Sequence, residues 1–277
     1  MRALPEPLTR CERQVVDVLT KNYPISGLGS ITDFAQRARV STPSVARFVK
    51  KMGFAGYSAF QQALRKDLEE RIAGPLVKHD RWVDDAPRGL RRFAQAVTEN
   101  MRTTLEQIDA SDFDEACDLI ADLDRQIFCV GGRITHSLAD YFCTHMQVVR
   151  GRVHPPLTDP GTWAHVLLDM REGDVLVVFD IRRYENRVLK LCEIAAARKA
   201  AVVLFTDRWG SPAASYARQC FYCRIEAPSA WDSCAALMVV VETIIAGTQQ
   251  IIWAATSRRM KDLEGLLDQT GQFRKFK

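Results

Sequence analysis

Three short amphipathic segments lie within the first 53 residues, and the gap between the second and the third constrains the fold more than any other feature of the chain. Only Arg39-Val40-Ser41 separates these two segments, which is too short to reverse the chain into an antiparallel hairpin. Two helices joined so tightly meet at a steep angle, which predicts a helix-turn-helix. The apolar residues of the three segments follow helical spacing: Leu8, Cys11, Val15 and Leu19, then Ile31, Phe34, Ala35 and Ala38, then Val45, Phe48, Val49 and Met52.

The third segment carries the residues that suit DNA. Ser41 or Thr42 can cap this helix, and Pro43 fits its first turn. Short hydroxyl side chains at the start of such a helix suit base edges and phosphates in the major groove, and cations further along suit base edges or the backbone. An ordinary amphipathic helix in a three-helix bundle would carry the same charged face. We predict a DNA-reading face formed by Thr42, Ser44, Arg47, Lys50 and Lys51.

Charge is distributed unevenly along the chain. Residues 1–66 hold eleven Lys or Arg against four acids, a net charge of +7, so the remaining 211 residues carry −3 within the whole-chain total of +4. A basic module on a near-neutral body is typical of nucleic-acid binding, although a solvated surface gives the same balance. RNA binding is disfavoured because no aromatic stacking motif accompanies the basic residues.

Residues 30–60 resemble the helix-turn-helix of the RpiR/MurR family of bacterial transcription regulators. The resemblance rests on Val40-Ser41 before the third helix, on Val45-Ala46-Arg47-Phe48 within it, and on the turn Gly53-Phe54-Ala55-Gly56-Tyr57 after it. The start Leu8-Thr9-Arg10-Cys11-Glu12-Arg13 is similar to the family's first helix. This resemblance implies a regulator that binds a double-stranded DNA operator and carries a sugar isomerase (SIS) domain after the helix-turn-helix.

The periodicity breaks twice after the fourth helix, at residues 73–75 and 84–89. These breaks predict a helix-turn-helix domain over residues 1–75, a linker over residues 76–89 and a second domain over residues 90–277.

The second domain begins with two predicted helices, residues 90–108 and 112–123, after which strands and helices alternate. Short apolar runs rich in β-branched residues are typical of central parallel strands. The alternation predicts a doubly wound α/β fold with a parallel sheet, which binds ligands beyond the carboxyl ends of its strands. The predicted strands are 127–130, 174–179, 201–205 and 221–225, and the predicted helices are 135–149, 186–198, one opened by Ser211-Pro212, and one over 232–255.

Two motifs of the second domain resemble SIS domains. Gly131-Gly132-Arg133-Ile134-Thr135 is similar to the G-x-G-x-S turn, with Thr135 in the place of the serine and Arg133 where the second glycine is usual. Thr206-Asp207, followed by Ser211-Pro212-Ala213-Ala214, is similar to the SIS pattern Thr-Asp and Ser-Pro-Leu-Ala.

One loop departs from the family. Where typical SIS domains hold a sugar phosphate with Ser-x-Ser-Gly-x-Thr, this chain has Asp180-Ile181-Arg182-Arg183-Tyr184-Glu185, with neither serine nor glycine.

We expect an anionic small molecule, a carboxylate or a phosphate, at the strand ends. Backbone N–H groups of a Gly-rich turn at a helix N-terminus favour an anion, and an arginine offers a planar fork that matches phosphate or carboxylate. The two arginines of the 180–186 loop either bind the anion or pair with Asp180 and Glu185. The predicted ligand site comprises Gly131, Gly132, Arg133, Thr135, Asp180, Arg182, Arg183, Ser229 and Ser233.

Other classes of protein are disfavoured. The most apolar stretch, residues 235–255, contains Glu242, Gln249 and Gln250, so we expect no membrane span. Residues 1–10 carry two prolines and no apolar run, so we expect no signal peptide. We therefore place the protein in the cytoplasm. The pair Cys220 and Cys223 is expected to be structural, and no histidine pattern indicates a metal. No cofactor is expected.

The sequence therefore predicts a DNA-binding transcriptional regulator that senses a small anionic metabolite. The alternative is a sugar-phosphate isomerase, in which His136 or Glu242 would move protons. One short recognition helix reads few bases, so we expect a homo-oligomer, dimer or tetramer, on a palindromic operator with half-sites about 34 Å apart or a multiple of that. The apolar helix predicted over residues 232–255 could form the subunit interface or lie in the core of its own chain.

Overall fold

The computed structural model describes residues 8–21, 23–72, 74–82 and 89–271. The chain divides into two compact units, Met1–Val77 and Lys78–Lys277. The N-terminal unit is helical, and its helices are α1 (Arg10–Lys21), α2 (Ile31–Ala38), α3 (Thr42–Lys51) and α4 (Tyr57–Ile72), with a short 3-10 helix at Ile25–Gly27.

The turn between α2 and α3 forms as its sequence predicts. Ser30 caps α2 by accepting the Asp33 N–H, and Ser41 caps α3 by accepting the Ser44 N–H at 3.3 Å. Between them Arg39 takes a left-handed conformation with φ of 53°, which ends α2 within one residue. The predicted apolar faces of the three helices meet in one core, in which Val15, Leu19, Phe34, Ala35, Ala38, Val45, Phe48 and Val49 are buried together with Phe60 and Leu64 of α4. Cys11, which the helical spacing placed on the same face of α1, is exposed instead.

The predicted linker, residues 76–89, contains a helix that the sequence analysis missed. This helix, α5 (Pro75–Trp82), begins at a proline, which suits the first turn because its missing N–H would have no intrahelical partner. The division between the two units falls inside α5, after Val77. Residues 83–88 of the predicted linker lie outside the described residues.

The C-terminal unit is built on a parallel sheet of four strands in the order β1-β2-β3-β4, which confirms the predicted fold class. Two helices, α6 and α7, precede the sheet, and helices alternate with the strands after it begins. The elements are α6 (Leu90–Gln107), α7 (Ala110–Ala121), β1 (Ile127–Gly131), α8 (His136–Val149), α9 (Trp163–Asp169), β2 (Val175–Asp180), α10 (Asn186–Ala197), β3 (Ala201–Asp207), β4 (Gln219–Cys223), α11 (Ala235–Ile251) and α12 (Trp253–Thr270).

Helices cover both faces of the sheet, which explains why the strands are apolar throughout. Side chains alternate between the faces, so Val178 and Leu204 pack with residues of α9 and α10 while Phe179 and Phe205 point to the opposite side. On that opposite side the Phe179 and Phe205 rings stack with centroids 4.9 Å apart, and Phe142 of α8 packs against Phe179.

Two predicted helices differ from the structure. The stretch opened by Ser211-Pro212 forms only a five-residue 3-10 helix, Pro212–Tyr216, because β4 already begins at Gln219. The helix predicted over residues 232–255 is two helices that meet at a bend of 100°. The bend lies at Ile252, and the Thr256 hydroxyl of α12 then donates to the carbonyl of Val149 at 2.9 Å, which directs α12 toward the end of α8.

Within the described ranges, no single helix is long and apolar enough to cross a membrane. Only α11 and α12 taken together, as a bent pair, meet the length and composition of a span.

Candidate functional site

The recognition helix α3 presents the predicted polar face. Val45, Phe48 and Val49 are buried, whereas Arg47, Lys50 and Lys51 are exposed and Thr42 and Ser44 are half-buried at the start of the helix. The Arg47 guanidinium donates to the Ser44 hydroxyl at 3.2 Å, and the Ser44 and Ser41 hydroxyls lie 2.9 Å apart. These contacts orient Arg47 along the N-terminal half of the helix, next to the two hydroxyls.

One cation of this face is held by another helix. The Lys51 ammonium forms an ion pair with the Glu12 carboxylate of α1 at 3.1 Å. The Thr9 backbone N–H also donates to Glu12, and this hydrogen bond together with Lys51 lowers the pKa of the carboxyl group. Lys50 forms no such pair within the described part of the chain. Helical spacing does not reveal the Glu12 contact, because the two residues lie on different helices.

The turn after β1 requires glycine at its first position. A Cβ on Gly131 would lie 2.4 Å from the backbone oxygen of Thr135, too close for any side chain. The Thr135 hydroxyl, which is buried, accepts the Gly132 N–H at 2.9 Å and donates to the carbonyl of Phe179 at 2.7 Å. Thr135 therefore ties the β1 turn to the end of β2.

One backbone N–H of this turn already has a carboxylate partner. The backbone N–H of Arg133 donates to the Glu185 carboxylate at 2.9 Å, from the loop between β2 and α10. Glu185 also pairs with Arg187 at 3.1 Å. The site therefore contains an acid of its own at the position where the sequence analysis expected the ligand.

Asp180, at the end of β2, organises its loop. It is only 2% exposed, and it accepts a hydrogen bond from the Ser211 hydroxyl at 2.5 Å. Burial raises the pKa of this carboxyl group to about 6, although the hydrogen bonds from Ser211 and from the Glu185 backbone oppose the shift. The structure thus places this predicted ligand residue inside the protein, in contact with the Ser-Pro motif.

Asp207, at the end of β3, is a second buried acid, which the sequence analysis quoted in a motif without giving it a role. It accepts hydrogen bonds from the Arg182 N–H at 2.7 Å, the Tyr184 hydroxyl at 2.7 Å and the Trp209 N–H at 3.0 Å. Burial raises the pKa of this carboxyl group as well. Asp207 therefore fixes the conformation of the 180–186 loop, in which Arg182 and Arg183 both have positive φ angles.

The three arginines of the predicted site have different environments. Arg182 pairs with Asp232, its Nε 3.0 Å from a carboxylate oxygen, and its guanidinium lies 4.0 Å from the centroid of the Trp209 ring. Asp232, the partner that the structure shows, was not among the partners considered from the sequence, Asp180 and Glu185. The side chains of Arg133 and Arg183 are exposed, and no ion pair of theirs is found among the described residues.

The third predicted segment meets the second through Asp232. The hydroxyls of Ser229 and Ser233 accept hydrogen bonds from nearby backbone groups. Ser229 accepts the Trp231 N–H at 3.2 Å, and Ser233 accepts the Ala235 N–H at 3.3 Å. Asp232, between them, reaches Arg182. The structure therefore brings together the segments 131–135, 180–186 and 229–233 at the carboxyl ends of the strands, as expected from the fold.

The two residues considered for acid–base chemistry both have hydrogen-bond partners within the protein. The His136 ring contacts the carbonyl of Arg133 at 2.8 Å, and Glu242 accepts the Tyr141 hydroxyl at 2.8 Å. No group of three potential metal ligands occurs in the described part of the chain. The cysteines are free, and burial raises the pKa of the Cys220 thiol to about 11, so it is a poor nucleophile.

Comparison with known proteins agrees with this architecture. Residues 1–71 match the helix-turn-helix domain of the rpiR family, and residues 120–247 match the SIS domain. A DNA-binding helix-turn-helix joined to a SIS domain defines a transcriptional regulator with a sugar-isomerase-type domain. The chain belongs to the RpiR family of such regulators.

A named relative agrees with this assignment, and solved structures share the fold. The chain is 27% identical over 230 residues to the HTH-type transcriptional regulator HexR of Pseudomonas aeruginosa, covering 78% of this chain and 74% of HexR. In fold it is similar to the Vibrio vulnificus NanR protein complexed with ManNAc-6P, with a TM-score of 0.58, 18% identity and 97% of each chain covered. It is also similar to the sugar isomerase domain of an RpiR transcription factor from Sphaerobacter thermophilus, with a TM-score of 0.60 and 20% identity, covering 64% of this chain and 99% of that one.

Proposed function

We propose that this transcriptional regulator senses a small anionic metabolite, such as a sugar phosphate, at the strand ends of its SIS domain. The observation that carries the proposal is the placement of Arg133 and Arg183, two exposed arginines on loops that are hydrogen-bonded to each other through the Arg133 N–H and Glu185. Charge-assisted hydrogen bonds from such groups contribute about 1.5–3 kcal/mol each. The fold neighbour that was solved with ManNAc-6P supports a phosphate ester as the ligand class.

Within this proposal the predicted ligand residues have different roles. Arg133 and Arg183 contact the anion, and the Gly131-Gly132 turn lets the backbone approach it. Thr135 and Asp180 position the two loops, because their side chains are buried and hydrogen-bonded within the protein. Ser229 and Ser233 order the segment that carries Asp232.

A thermal-shift experiment with ManNAc-6P, inorganic phosphate and unphosphorylated ManNAc tests the ligand. We expect the phosphorylated compound to raise the melting temperature and the neutral sugar to leave it unchanged. Loss of either arginine, in Arg133→Ala or Arg183→Ala, should weaken binding by roughly ten- to a hundredfold. Lys199→Ala is the matched control, since Lys199 is an exposed cation just before β3, at the opposite ends of the strands. Stabilisation by the neutral sugar, or by phosphate in both arginine variants, would place the effector elsewhere.

On the DNA side, we propose that the face formed by Thr42, Ser44, Arg47, Lys50 and Lys51 enters the major groove. The exposed cations and the hydroxyls near the start of α3 support this orientation. The protein would act in the cytoplasm on a palindromic operator. Recovery of bound DNA fragments from cells, followed by sequencing, tests this directly; fragments without inverted repeats would contradict it.

We propose that the regulator is a homo-oligomer, at least a dimer, because a palindrome requires two recognition helices related by two-fold symmetry. The apolar side of α11 is not a free surface for the subunit interface, because it is buried within the chain's own core. The buried residues are Leu237, Val240, Val241 and Ile244. A monomeric mass by light scattering at micromolar concentration would rule out the oligomer.

We propose further that the SIS domain binds its ligand without converting it. The similarity to named transcriptional regulators supports this view, and both acid–base candidates have hydrogen-bond partners within the protein, the Arg133 carbonyl for His136 and the Tyr141 hydroxyl for Glu242. Nuclear magnetic resonance of ManNAc-6P incubated with the protein tests it, and appearance of an isomeric sugar phosphate would identify an enzyme.

A further inference from the structure

The carboxylate of Asp232 is shared by two cations on different elements. Arg182, on the loop after β2, donates to it through Nε at 3.0 Å and through Nη2 at 3.3 Å. Lys78, on α5, donates to the same carboxylate through its ammonium group. The three side chains are only 11–13% exposed, so their charges are poorly screened by water.

Both cations belong to the C-terminal unit, but they lie on different elements of it. Arg182 is a residue of the predicted ligand site, held there by Asp207 and Trp209. Lys78 lies one residue after Val77, the last residue of the N-terminal unit, on a helix that is covalently continuous with that unit.

We propose that Asp232 is the residue through which an anion bound beside Arg182 controls α5, and thereby the DNA-binding unit. The proposal rests on the ligand site of the proposed function and adds Arg182 to the groups that contact the anion, beside Arg133 and Arg183. A bound anion takes over hydrogen bonds of Arg182, which leaves the carboxylate of Asp232 to Lys78 alone. The anion also compensates the positive charge of Arg182 that repels Lys78. Both effects strengthen the contact between Asp232 and Lys78, so binding of the anion holds α5 more firmly.

The electrostatics of the cluster support this direction. Two cations compete for one carboxylate, so the gain of one partner is the loss of the other. Burial lowers the pKa of Lys78, and the nearby charge of Arg182 lowers it further, whereas Asp232 and, to a smaller extent, Glu226 raise it. Lys78 therefore depends on Asp232 for its stabilisation as a cation.

Hydrogen–deuterium exchange of the α5 backbone tests the coupling without any ligand. In the full-length protein, Arg182→Gln should slow exchange in residues 75–82 at least threefold, because Asp232 then forms its ion pair with Lys78 and no longer shares it with Arg182. Asp232→Asn should accelerate exchange in the same residues by a similar factor. Arg182→Lys keeps the charge and should resemble the unmodified protein, and Lys199→Met, which removes a lysine from an exposed ion pair, should leave α5 unchanged.

The opposite changes in the two variants separate coupling from general destabilisation, which would accelerate exchange in both. If Arg182→Gln and Asp232→Asn shift α5 in the same direction, or if neither shifts it, the proposal is wrong. Should either variant fail to fold, Lys78→Met supplies the reciprocal measurement: residues 181–185 should exchange at least threefold more slowly, because Asp232 then serves Arg182 alone. Unchanged or faster exchange there would overturn the coupling.

A second experiment uses inorganic phosphate and ManNAc-6P as probes and links the coupling to effector binding. Either probe should slow α5 exchange in the unmodified protein and fail to do so in Asp232→Asn. If neither probe binds, the proposed ligand class is wrong. The exchange rates of the Arg182→Gln and Asp232→Asn variants without ligand still test the role of Asp232. Binding that leaves α5 exchange unchanged would overturn the coupling alone.

Discussion

The ammonium group of Lys51 lies 3.1 Å from the carboxylate of Glu12, so that α1 holds one of the cations of the proposed DNA-reading face. The adjacent Lys50 forms no ion pair within the described residues and is exposed. Two neighbouring lysines, equivalent in the sequence, therefore differ in the charge that they can offer to a phosphate.

The first prediction separates these two lysines. Lys50→Ala should weaken binding to a non-specific duplex severalfold and reduce the salt dependence by about one released counterion, because a lysine–phosphate contact is blind to sequence. Lys51→Ala should have a smaller effect, since its charge is already balanced. Glu12→Gln should release Lys51 and strengthen binding at low salt.

Fluorescence anisotropy over a salt series measures all three variants, with Lys199→Ala as the control outside the DNA-binding unit. Equal losses for Lys50→Ala and Lys51→Ala would show that Glu12 releases Lys51 when DNA binds. No loss in the triple variant of Arg47, Lys50 and Lys51 to Ala would show that another face contacts DNA.

The second prediction concerns the turn after β1. Gly131→Ala should destabilise the protein by about 1–3 kcal/mol, because the new Cβ would press on the backbone of Thr135. The matched control is Gly265→Ala in α12, where no atom lies within 4 Å of the position that the new methyl group would take. There alanine should stabilise by up to about 1 kcal/mol through helix propensity. Chemical denaturation compares the two; equal effects would contradict the steric argument.

The third prediction is a pH dependence caused by Asp180. Burial raises its pKa to about 6 in the folded protein, above the value near 4 that is expected for an unfolded chain. The folded state therefore binds the proton more tightly, and stability from this group is fully present below about pH 4 and is lost as the pH rises through about 6. The loss is on the order of 2–3 kcal/mol.

Asp180→Asn cannot titrate and should remove this component. Denaturation in urea at pH 4.5, 5.5 and 7 gives the difference in unfolding free energy between the two proteins. That difference should change by at least about 1 kcal/mol across the series, in favour of Asn at the highest pH. A difference that is constant with pH would mean that Asp180 does not titrate in this range.

The fourth prediction concerns a buried arginine that no functional pattern in the sequence distinguishes. Arg150 is 1% exposed and donates to the carbonyls of Ile120, Asp122 and Arg125, and burial lowers its pKa to about 10. Arg150→Met should leave these carbonyls without partners and destabilise the protein by on the order of 3 kcal/mol.

Arg152→Met is the control for this change, since Arg152 is exposed and donates to a single carbonyl, that of Asp124. Thermal melts of both variants should therefore differ clearly. Similar melting temperatures would show that the Arg150 contacts contribute little.

The local pattern of the chain determined the elements and much of the architecture. Helical spacing in residues 8–52 defined the core of the DNA-binding unit, because Val45, Phe48 and Val49 can all be buried only if the segment is helical. Apolar runs flanked by glycine or acids likewise defined four parallel strands. The short five-residue 3-10 helix after Ser211 and the bend at Ile252 were missed because packing of β4 and the Thr256 contact override the local preference for a longer helix.

Only the tertiary structure decided which charges are available. Glu185 reaches the Arg133 N–H from 52 residues away, and Asp232 joins Lys78 to Arg182 across separations of 154 and 50 residues. Periodicity reports which face of a segment is apolar, but it carries no information about which charges from distant segments meet at the strand ends. The sequence by itself therefore determined that this is a helix-turn-helix regulator with arginine-bearing loops at the strand ends. The packing of the loops decided that Arg182 is paired while Arg133 and Arg183 are exposed, because a buried charge is stable only beside a partner that the fold supplies.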